Sequence, residues 1–121
     1  MNIHVLCGAP GSGKTTWAKS VDNAYVVSAD DYFVDNNGVY NFRPELIYEA
    51  HQWCLNQFLT AVRDETLTDI IVDNTNISLI DMAPYVRIGQ ALRCDVFIRV
   101  FAKRFKNVHG VPQDRVLSLE Q

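Results

Sequence analysis

Short apolar runs alternate along the chain with segments in which apolar residues recur every three or four positions. The runs predict buried strands, and the three- to four-residue spacing predicts amphipathic helices. The predicted strands are Ile3–Cys7, Ala24–Ser28, Asp69–Asp73 and Asp95–Phe101. The predicted helices are Thr15 to about Val21, Glu45 to about Arg63, Ser78–Arg93 and a terminal helix from about Gln113. Strands that alternate with helices in this way are typical of an α/β protein with a parallel sheet.

Two of the predicted helices carry further signals. Pro44 suits the first turn of the helix that begins at Glu45. His51 lies beside the apolar stripe of that helix, where a lone histidine is usually a hydrogen-bonded core residue, so we assign it no catalytic role. In the helix Ser78–Arg93, Pro84 lies near the first turns and Gly89 is a candidate break.

The loop between the first strand and the first helix, Gly8 to Thr15, matches the phosphate-binding pattern GxxxxGK[ST], the Walker A motif. Glycines let successive backbone N–H groups close around an anion, and the helix N-terminus adds a positive end. Lys14 would contact the β- and γ-phosphates, and the Thr15 hydroxyl would bind Mg²⁺. We therefore expect a site for ATP and Mg²⁺. The predicted nucleotide-binding residues are Gly8, Gly11, Ser12, Gly13, Lys14, Thr15 and Thr16.

This motif in a strand–loop–helix context predicts a three-layer α/β/α P-loop NTPase fold. The helix between the first two strands forms a right-handed crossover, so the sheet, of about four strands, is expected to be parallel. Its ligand would then lie at the C-terminal ends of the strands. A length of 121 residues predicts one domain, residues 1–121.

Asp30 and Asp31 directly follow the second strand, at the edge where the phosphates are expected. A carboxylate there suits a general base that accepts the proton of an attacking hydroxyl, or a group that supports the metal ion. Asp30 is our candidate base. Alternatively, either aspartate caps the next turn through its side-chain oxygen.

The third strand ends in Asp73 after three aliphatic residues, which is typical of a Walker B strand whose carboxylate reaches Mg²⁺. Buried strands also end in aspartate because this residue begins a turn well. The polar residues 74–76 continue along the same edge. They would orient water, an acceptor or a base, or else start the next helix.

Four aromatic residues surround the turn at residues 35–38 and suit stacking on an acceptor base or sugar, although such residues are more often part of a core. They are Tyr32, Phe33, Tyr40 and Phe42.

The composition is that of an ordinary globular protein, with 48% hydrophobic and 21% charged residues. There is no run of about eighteen apolar residues and no leader-like N-terminus, so we expect a soluble, cytoplasmic protein without a membrane partner. Cys7, Cys54 and Cys94 form no closely spaced pair, which argues against a disulfide framework or a zinc site. We expect buried thiols.

The net charge of −3 is unevenly distributed, because the C-terminal part is cationic. Residues 74–121 contain seven basic and four acidic residues. The basic segment at about residues 102–112 follows the fourth strand and is predicted to form a helical lid over the γ-phosphate. Arg104 and Lys106 are the candidate cations that stabilise negative charge during phosphate transfer. A solvated basic helix end is the alternative.

Six segments in this order resemble the small P-loop kinases related to polynucleotide 5′-hydroxyl kinase, within the broad AAA-type ATPase superfamily. The resemblance covers nearly the whole chain. It implies a four-stranded parallel core with a helical lid, ATP as the phosphate donor, and Asp30 as the aspartate that acts on the acceptor hydroxyl. The segments are GAPGSGKTTWA (8–18), SADDYF (28–33), YNFRP (40–44), EAHQWC (49–54), IIVDNTN (70–76) and KNVHGVP (106–112).

Two positions depart from that family. In its phage member an arginine that holds the acceptor phosphate lies three residues after the catalytic aspartate, where this chain has Phe33. The lid arginine is replaced by Lys106, which cannot make the same planar two-pronged contact. The favoured function is transfer of the γ-phosphate of ATP to a hydroxyl, with the 5′ end of a single-stranded nucleic acid as acceptor. The alternatives are a small-molecule kinase and an ATP-binding module or slow ATPase without transfer.

Overall fold

The computed structural model describes residues 1–9, 11–74 and 78–101, together with the backbone of residues 114–119. The chain forms strands and helices in alternation, as its hydrophobic pattern predicts. The strands are β1 (Asn2–Cys7), β2 (Ala24–Val27), β3 (Asp69–Asp73), β4 (Asp95–Phe101) and β5 (Asp114–Leu119). The helices are α1 (Lys14–Ser20), α2 (Ile47–Ala61) and α3 (Leu79–Ala91), with short 3-10 helices at Ala29–Phe33 and Pro44–Leu46.

The strands form one sheet in the order β2-β3-β1-β4-β5. The first four are parallel, with Ile3 of β1 opposite Ile70 of β3 and Val96 of β4. Because the first strand lies in the middle of these, the loop that follows it is at the centre of the C-terminal edge of the sheet. This is where ligands of open α/β sheets bind.

The side chains of successive β1 residues point to opposite faces of the sheet. Because helices pack on both faces, the fold has the predicted three layers. Ile3 and Val5 lie in the larger core, where α2 and α3 cover the sheet with side chains such as Phe58. Leu6 lies on the opposite face and packs in the smaller core with Ala18 of α1. The α/β/α class is therefore confirmed.

The predicted terminal helix is wrong. Residues 114–119 form β5, which pairs antiparallel with β4. A free strand edge offers a row of unpaired N–H and C=O groups, and pairing with this edge overrides a weak local helix preference. The parallel core therefore has the predicted four strands, and a fifth strand is added at its edge.

The candidate break in the third helix is also wrong, because Gly89 lies inside a continuous α3. A Cβ atom at Gly89 would lie 2.8 Å from both Ile3 Cδ1 and Val96 Cγ2. The glycine therefore allows the helix to pack closely against the sheet. Pro84 lies in the first half of α3, as predicted.

Of the three thiols, Cys54 and Cys94 are buried as expected, whereas Cys7 is partly exposed. Among the helices that the structure describes, none is long and apolar enough to cross a membrane.

Candidate functional site

A cleft of about 590 Å³ lies at the C-terminal edge of the parallel strands. It gathers residues from three separate parts of the sequence: the loop and first turn after β1, the end of β2 with the segment that follows it, and the end of β3. Gly8 and Ser12 belong to the first of these parts but do not line the cleft. The lining residues are Gly11, Gly13, Lys14, Thr15, Thr16, Val26, Ser28, Asp30, Asp31 and Asp73.

Two glycines of the loop after β1 are required by its geometry. Gly13 precedes α1 with φ of 103°, a left-handed conformation that residues with a side chain rarely adopt. At Gly8 a Cβ atom would lie 2.6 Å from the Phe101 carbonyl oxygen and 2.8 Å from Ser12 Oγ. The loop can therefore turn at this point only without a side chain.

Ser12 is buried, and its Oγ has no hydrogen-bond partner among the described residues. A buried hydroxyl without a partner is costly, because it has lost its water and gained nothing in return. Ser12 lies in the turn between a glycine loop and a helix N-terminus, where an anion is favoured. A phosphate oxygen is therefore a suitable partner for this hydroxyl.

Lys14 is 5% exposed, and its ammonium group lies beside two oxygen-bearing groups at the end of β3. Its Nζ donates to the Asn74 carbonyl oxygen at 3.2 Å and lies 3.6 Å from Asp73 Oδ1. The Thr15 hydroxyl donates to the other carboxylate oxygen of Asp73 at 3.3 Å. The structure thus brings together the predicted phosphate-contacting lysine and both predicted metal-binding residues.

The donor set beside Lys14 fits Mg²⁺, which prefers oxygen ligands and keeps several waters or phosphate oxygens in its shell. Thr15 and Asp73 supply a hydroxyl and a carboxylate oxygen next to each other. No group of three or more His, Cys, Asp and Glu side chains is arranged to hold a metal in the described part of the chain. A cation here would therefore be held by these two residues together with the phosphates.

Asn74 is buried and connects the chemistry-bearing segments. Its Oδ1 accepts a hydrogen bond of 2.7 Å from the Ala29 backbone N–H, directly before Asp30. Its Nδ2 faces the Cys54 sulfur at 3.7 Å, and Tyr85 donates to the same sulfur at 3.3 Å. The sequence predicts that the segment that begins at Asn74 orients water, an acceptor or a base, or starts the next helix. The first residue of that segment instead fixes the loop that carries the candidate base.

Asp30 and Asp31 lie in the 3-10 helix Ala29–Phe33 and face the cleft. The side chain that caps this helix is that of Ser28, whose Oγ accepts from the Asp30 N–H at 3.3 Å. The proposed cap by an aspartate is therefore wrong at the start of this helix. A serine followed three residues later by an acid is a capping signal that could have identified Ser28.

The carboxylates of Asp30, Asp31 and Asp73 repel one another. Partial desolvation, and then the charges of Asp30 and Asp73, raise the pKa of Asp31. Three carboxylates directed at one cleft favour a cation among them.

The predicted aromatic cluster divides into a buried and an exposed part. Phe33 is buried in the main core, as the core alternative predicts. Tyr32, Tyr40 and Phe42 surround it and remain more than one third exposed.

Several predicted site residues lie outside the described residues. These are the lid at about residues 102–112 with Arg104 and Lys106, and also Thr75 and Asn76.

Comparisons with known proteins agree with this geometry. The AAA domain family matches residues 3–104. Human (Homo sapiens) NEDD4-binding protein 2 is 35% identical over 127 residues, and the match covers 93% of this chain and 7% of that protein. The chain therefore spans only a small part of this curated relative.

Among solved structures, a chain of the Pnkp1/Rnl/Hen1 RNA repair complex superposes with a TM-score of 0.63 and 26% identity, covering 85% of this chain and 33% of that one. A second structure of a Pnkp1/Rnl/Hen1 complex gives a TM-score of 0.64 at 20% identity, covering 97% and 45%. This second similarity shows the fold alone. Because the family match covers most of the sequence and the cleft carries its phosphate loop, the chain belongs to the AAA domain family and is a small P-loop kinase-like protein.

Proposed function

We propose that this protein transfers the γ-phosphate of ATP to a hydroxyl group, with the 5′-hydroxyl of a polynucleotide as acceptor. The observation that carries the proposal is the junction of Lys14, Thr15 and Asp73 beside two further carboxylates in one cleft. A phosphate-binding lysine and two residues that hold Mg²⁺ serve to bind ATP. An additional carboxylate at the same cleft serves to activate an acceptor.

In the proposed reaction the acceptor oxygen forms a bond to the γ-phosphorus, and the bond from that phosphorus to the β-bridging oxygen breaks. Asp30 accepts the proton of the acceptor hydroxyl, and ADP leaves. Lys14 offsets negative charge on the transferred group, while Thr15 and Asp73 would hold Mg²⁺, which would polarise the phosphates. Arg104 and Lys106 are proposed to supply further positive charge from the lid.

The acceptor is inferred from three observations. The 26% identical neighbour is part of an RNA repair complex, and six segments between residues 8 and 112 resemble polynucleotide 5′-hydroxyl kinases. The seven basic residues among residues 74–121 suit a phosphate-bearing polymer.

A small-molecule kinase is the second candidate, and one observation favours it. The segment from Asp22 to Ala61 contains six acidic residues and one basic residue, Arg43. The guanidinium of Arg43 is already paired with Glu45, with 2.8 Å between Nε and Oε1. An uncharged acceptor such as a nucleoside or sugar would meet less repulsion from this segment, of which Asp30 and Asp31 line the cleft.

The test offers ATP labelled at the γ-phosphate, with Mg²⁺, to three acceptor panels: 5′-hydroxyl oligonucleotides, nucleosides and sugars. The Lys14→Ala variant is the blank. Label on the 5′ end of the oligonucleotides supports the proposal, and label on nucleosides or sugars alone supports the second candidate. Label released only as free phosphate would identify an ATPase and overturn phosphate transfer.

A further inference from the structure

Three aromatic side chains form an exposed surface beside the candidate base. Tyr32, Tyr40 and Phe42 are 37%, 53% and 46% exposed, and they surround Phe33, which is only 6% exposed. We call the three exposed rings the aromatic shelf. Exposed aromatic rings grouped on one surface usually indicate a binding site, because water disfavours such a patch.

Ring packing fixes the shelf in place. Phe33 lies edge-on to each ring of the shelf, with centroid distances of 5.5 Å to Tyr32, 6.3 Å to Tyr40 and 5.0 Å to Phe42. These distances are in the range in which aromatic pairs attract one another. Trp53 of α2 supports Tyr32 from a distance of 5.9 Å. The shelf therefore needs little ordering when a ligand binds.

The backbone of the loop that carries the shelf is also fixed. Val34 and Tyr40 form an antiparallel bridge, and the Asn41 N–H donates to the Phe33 carbonyl at 2.9 Å. Between them the Asp35 carboxylate accepts from the N–H groups of Asn37 and Val39 at 2.8 and 2.9 Å. The exposed rings are thus carried by a closed hairpin turn.

The shelf and the cleft share one element, the 3-10 helix Ala29–Phe33, which carries Asp30 and Asp31 of the cleft and Tyr32 of the shelf. Tyr32 lies two residues after Asp30 in the same 3-10 helix, which corresponds to an axial rise of about 4 Å. Tyr40 packs on Phe33 of the same helix with 6.3 Å between ring centroids, and slight desolvation and then the negative charge of Asp30 raise the pKa of Tyr40. A ligand that stacks on the shelf would therefore extend toward the helix that carries Asp30.

Charge decides which part of an acceptor suits the shelf. Asp30 and Asp31 line the cleft, Asp35 lies in the turn that carries the shelf, and Arg43, next to Phe42 in the chain, is paired with Glu45. Phosphate groups would be repelled here, whereas an uncharged flat ring would stack without electrostatic cost. In a 5′-hydroxyl nucleotide, one sugar separates the base from the hydroxyl, so a stacked base leaves the hydroxyl near Asp30.

We propose that the aromatic shelf is the acceptor subsite and holds the first base of a single-stranded 5′-hydroxyl end by stacking. This inference rests on the proposed phosphate transfer for its biological meaning, but its binding step is independent of transfer. Stacking is tolerant of base identity, because every base has a flat face.

The experiment measures binding and transfer with the whole chain. The probe is a short single-stranded oligodeoxythymidylate with a free 5′-hydroxyl and a 3′ fluorophore, and its partner probe lacks only the first base. Fluorescence anisotropy gives the dissociation constants without ATP, and labelled γ-phosphate gives the KM values for the acceptor and for ATP. We expect the abasic probe to bind ~5- to ~100-fold more weakly, the range found for one stacked base.

The variants are Tyr40→Leu and Phe42→Leu, which remove a ring but keep an apolar side chain. Both are expected to weaken binding of the complete probe ~5-fold or more, to lose the difference between the two probes, and to leave the KM for ATP unchanged. The matched control is Tyr48→Leu. Tyr48 is an exposed tyrosine of α2 that lines a different groove, and its removal is expected to change none of these values.

The outcomes separate this inference from the proposed function. Equal affinity of the wild-type protein for both probes would overturn the shelf, even if neither variant folded, and would leave phosphate transfer standing. A loss of binding with the abasic probe and with both variants supports the shelf. If base-dependent binding is present and both variants lose it, but no acceptor is labelled, the shelf stands and phosphate transfer is overturned.

Discussion

The Asn74 side chain accepts a hydrogen bond of 2.7 Å from the Ala29 backbone N–H and so joins the end of β3 to the segment that carries Asp30. The carbonyl oxygen of the same Asn74 accepts from Lys14 Nζ at 3.2 Å. One buried residue therefore fixes the spacing between the phosphate-binding lysine and the candidate base. Reactions that depend on positioned groups are sensitive to shifts of about 1 Å, so this residue matters without touching a substrate.

Asn74→Ala is expected to lower the free energy of unfolding by about 1–3 kcal/mol, because the buried Ala29 N–H loses its acceptor. It is also expected to lower kcat for phosphate transfer more than it raises the KM for ATP. Urea unfolding and steady-state kinetics measure both effects. Asn56→Ala, at an exposed position of α2, is the matched control. A variant with normal stability and normal kcat would exclude the positioning role.

Thr15→Val is expected to weaken Mg²⁺-dependent binding of ATP, because it removes the hydroxyl that faces Asp73 while keeping the shape of the side chain. Asp73→Asn is expected to act in the same direction. Titration of Mg²⁺ at fixed ATP measures the metal requirement, which is predicted to rise ~10-fold or more for one lost charge-assisted contact. Thr60→Val, on the exposed side of α2, is the control. Unchanged metal requirements in both site variants would exclude this pair as the Mg²⁺ site.

Asp30→Asn is expected to reduce phosphate transfer by ~100-fold or more, since the amide cannot accept the proton of the acceptor hydroxyl. Binding of ATP is expected to remain, because the phosphate loop is unchanged. Asp31→Asn tests the choice between the neighbours, and a smaller loss is expected for it. A larger loss for Asp31→Asn than for Asp30→Asn would move the role of the base to Asp31.

His4 forms a buried polar network on the α1 side of the sheet, far along β1 from the phosphate loop. Its Nδ1 accepts from Arg99 Nε at 3.1 Å, and its Nε2 donates to Asp69 Oδ2 at 2.6 Å. Burial lowers the pKa of His4 below 6.5, against the opposing effect of the Asp69 hydrogen bond. The neutral imidazole, which can accept from Arg99, is therefore the form that the fold stabilises.

The stability of the protein is accordingly expected to depend on pH through His4. The unfolded chain binds the proton at its ordinary pKa of 6.5 and the folded chain only at lower pH. The contribution of His4 to the free energy of unfolding is therefore constant above pH 6.5. It falls as the pH drops from 6.5 through the lowered pKa of His4 in the folded state. Urea unfolding across this range measures the fall. His4→Gln is expected to reduce the fall, whereas His51→Gln is expected to keep it. A wild-type stability independent of pH in this window would contradict the assignment.

The parallel core and the phosphate loop could be predicted from the sequence because both are local patterns. Strands β3 and β4 have the predicted bounds, since short runs rich in β-branched and aromatic residues favour strands that are covered on both faces. The terminal helix predicted from about Gln113 falls on β5, because six residues with mixed periodicity do not distinguish a helix from a strand. Its strand conformation depends on β4, whose edge is available only in the folded sheet.

The candidate site was predicted as a set of residues but not as a set of contacts. The loop motif identified Lys14 and Thr15, and their approach to Asp73 followed from the shared edge of a parallel sheet. The hydrogen bond from the Ala29 N–H to the Asn74 side chain joins positions 45 residues apart, so no local sequence pattern predicts it. The exposure of Tyr40 and Phe42 also depends on which ring fills the core, and Phe33 occupies that place.

The central claim is that the loop around Lys14 binds the polyphosphate of Mg·ATP, and calorimetric titration of the whole chain tests it most directly. The wild-type protein and the Lys19→Ala variant, which loses an exposed lysine of the same helix, are predicted to bind with equal affinity. Lys14→Ala is predicted to bind ~10-fold or more weakly, because a buried charge-assisted contact is lost. The absence of binding to the wild-type protein, or equal affinity in Lys14→Ala, would contradict the account.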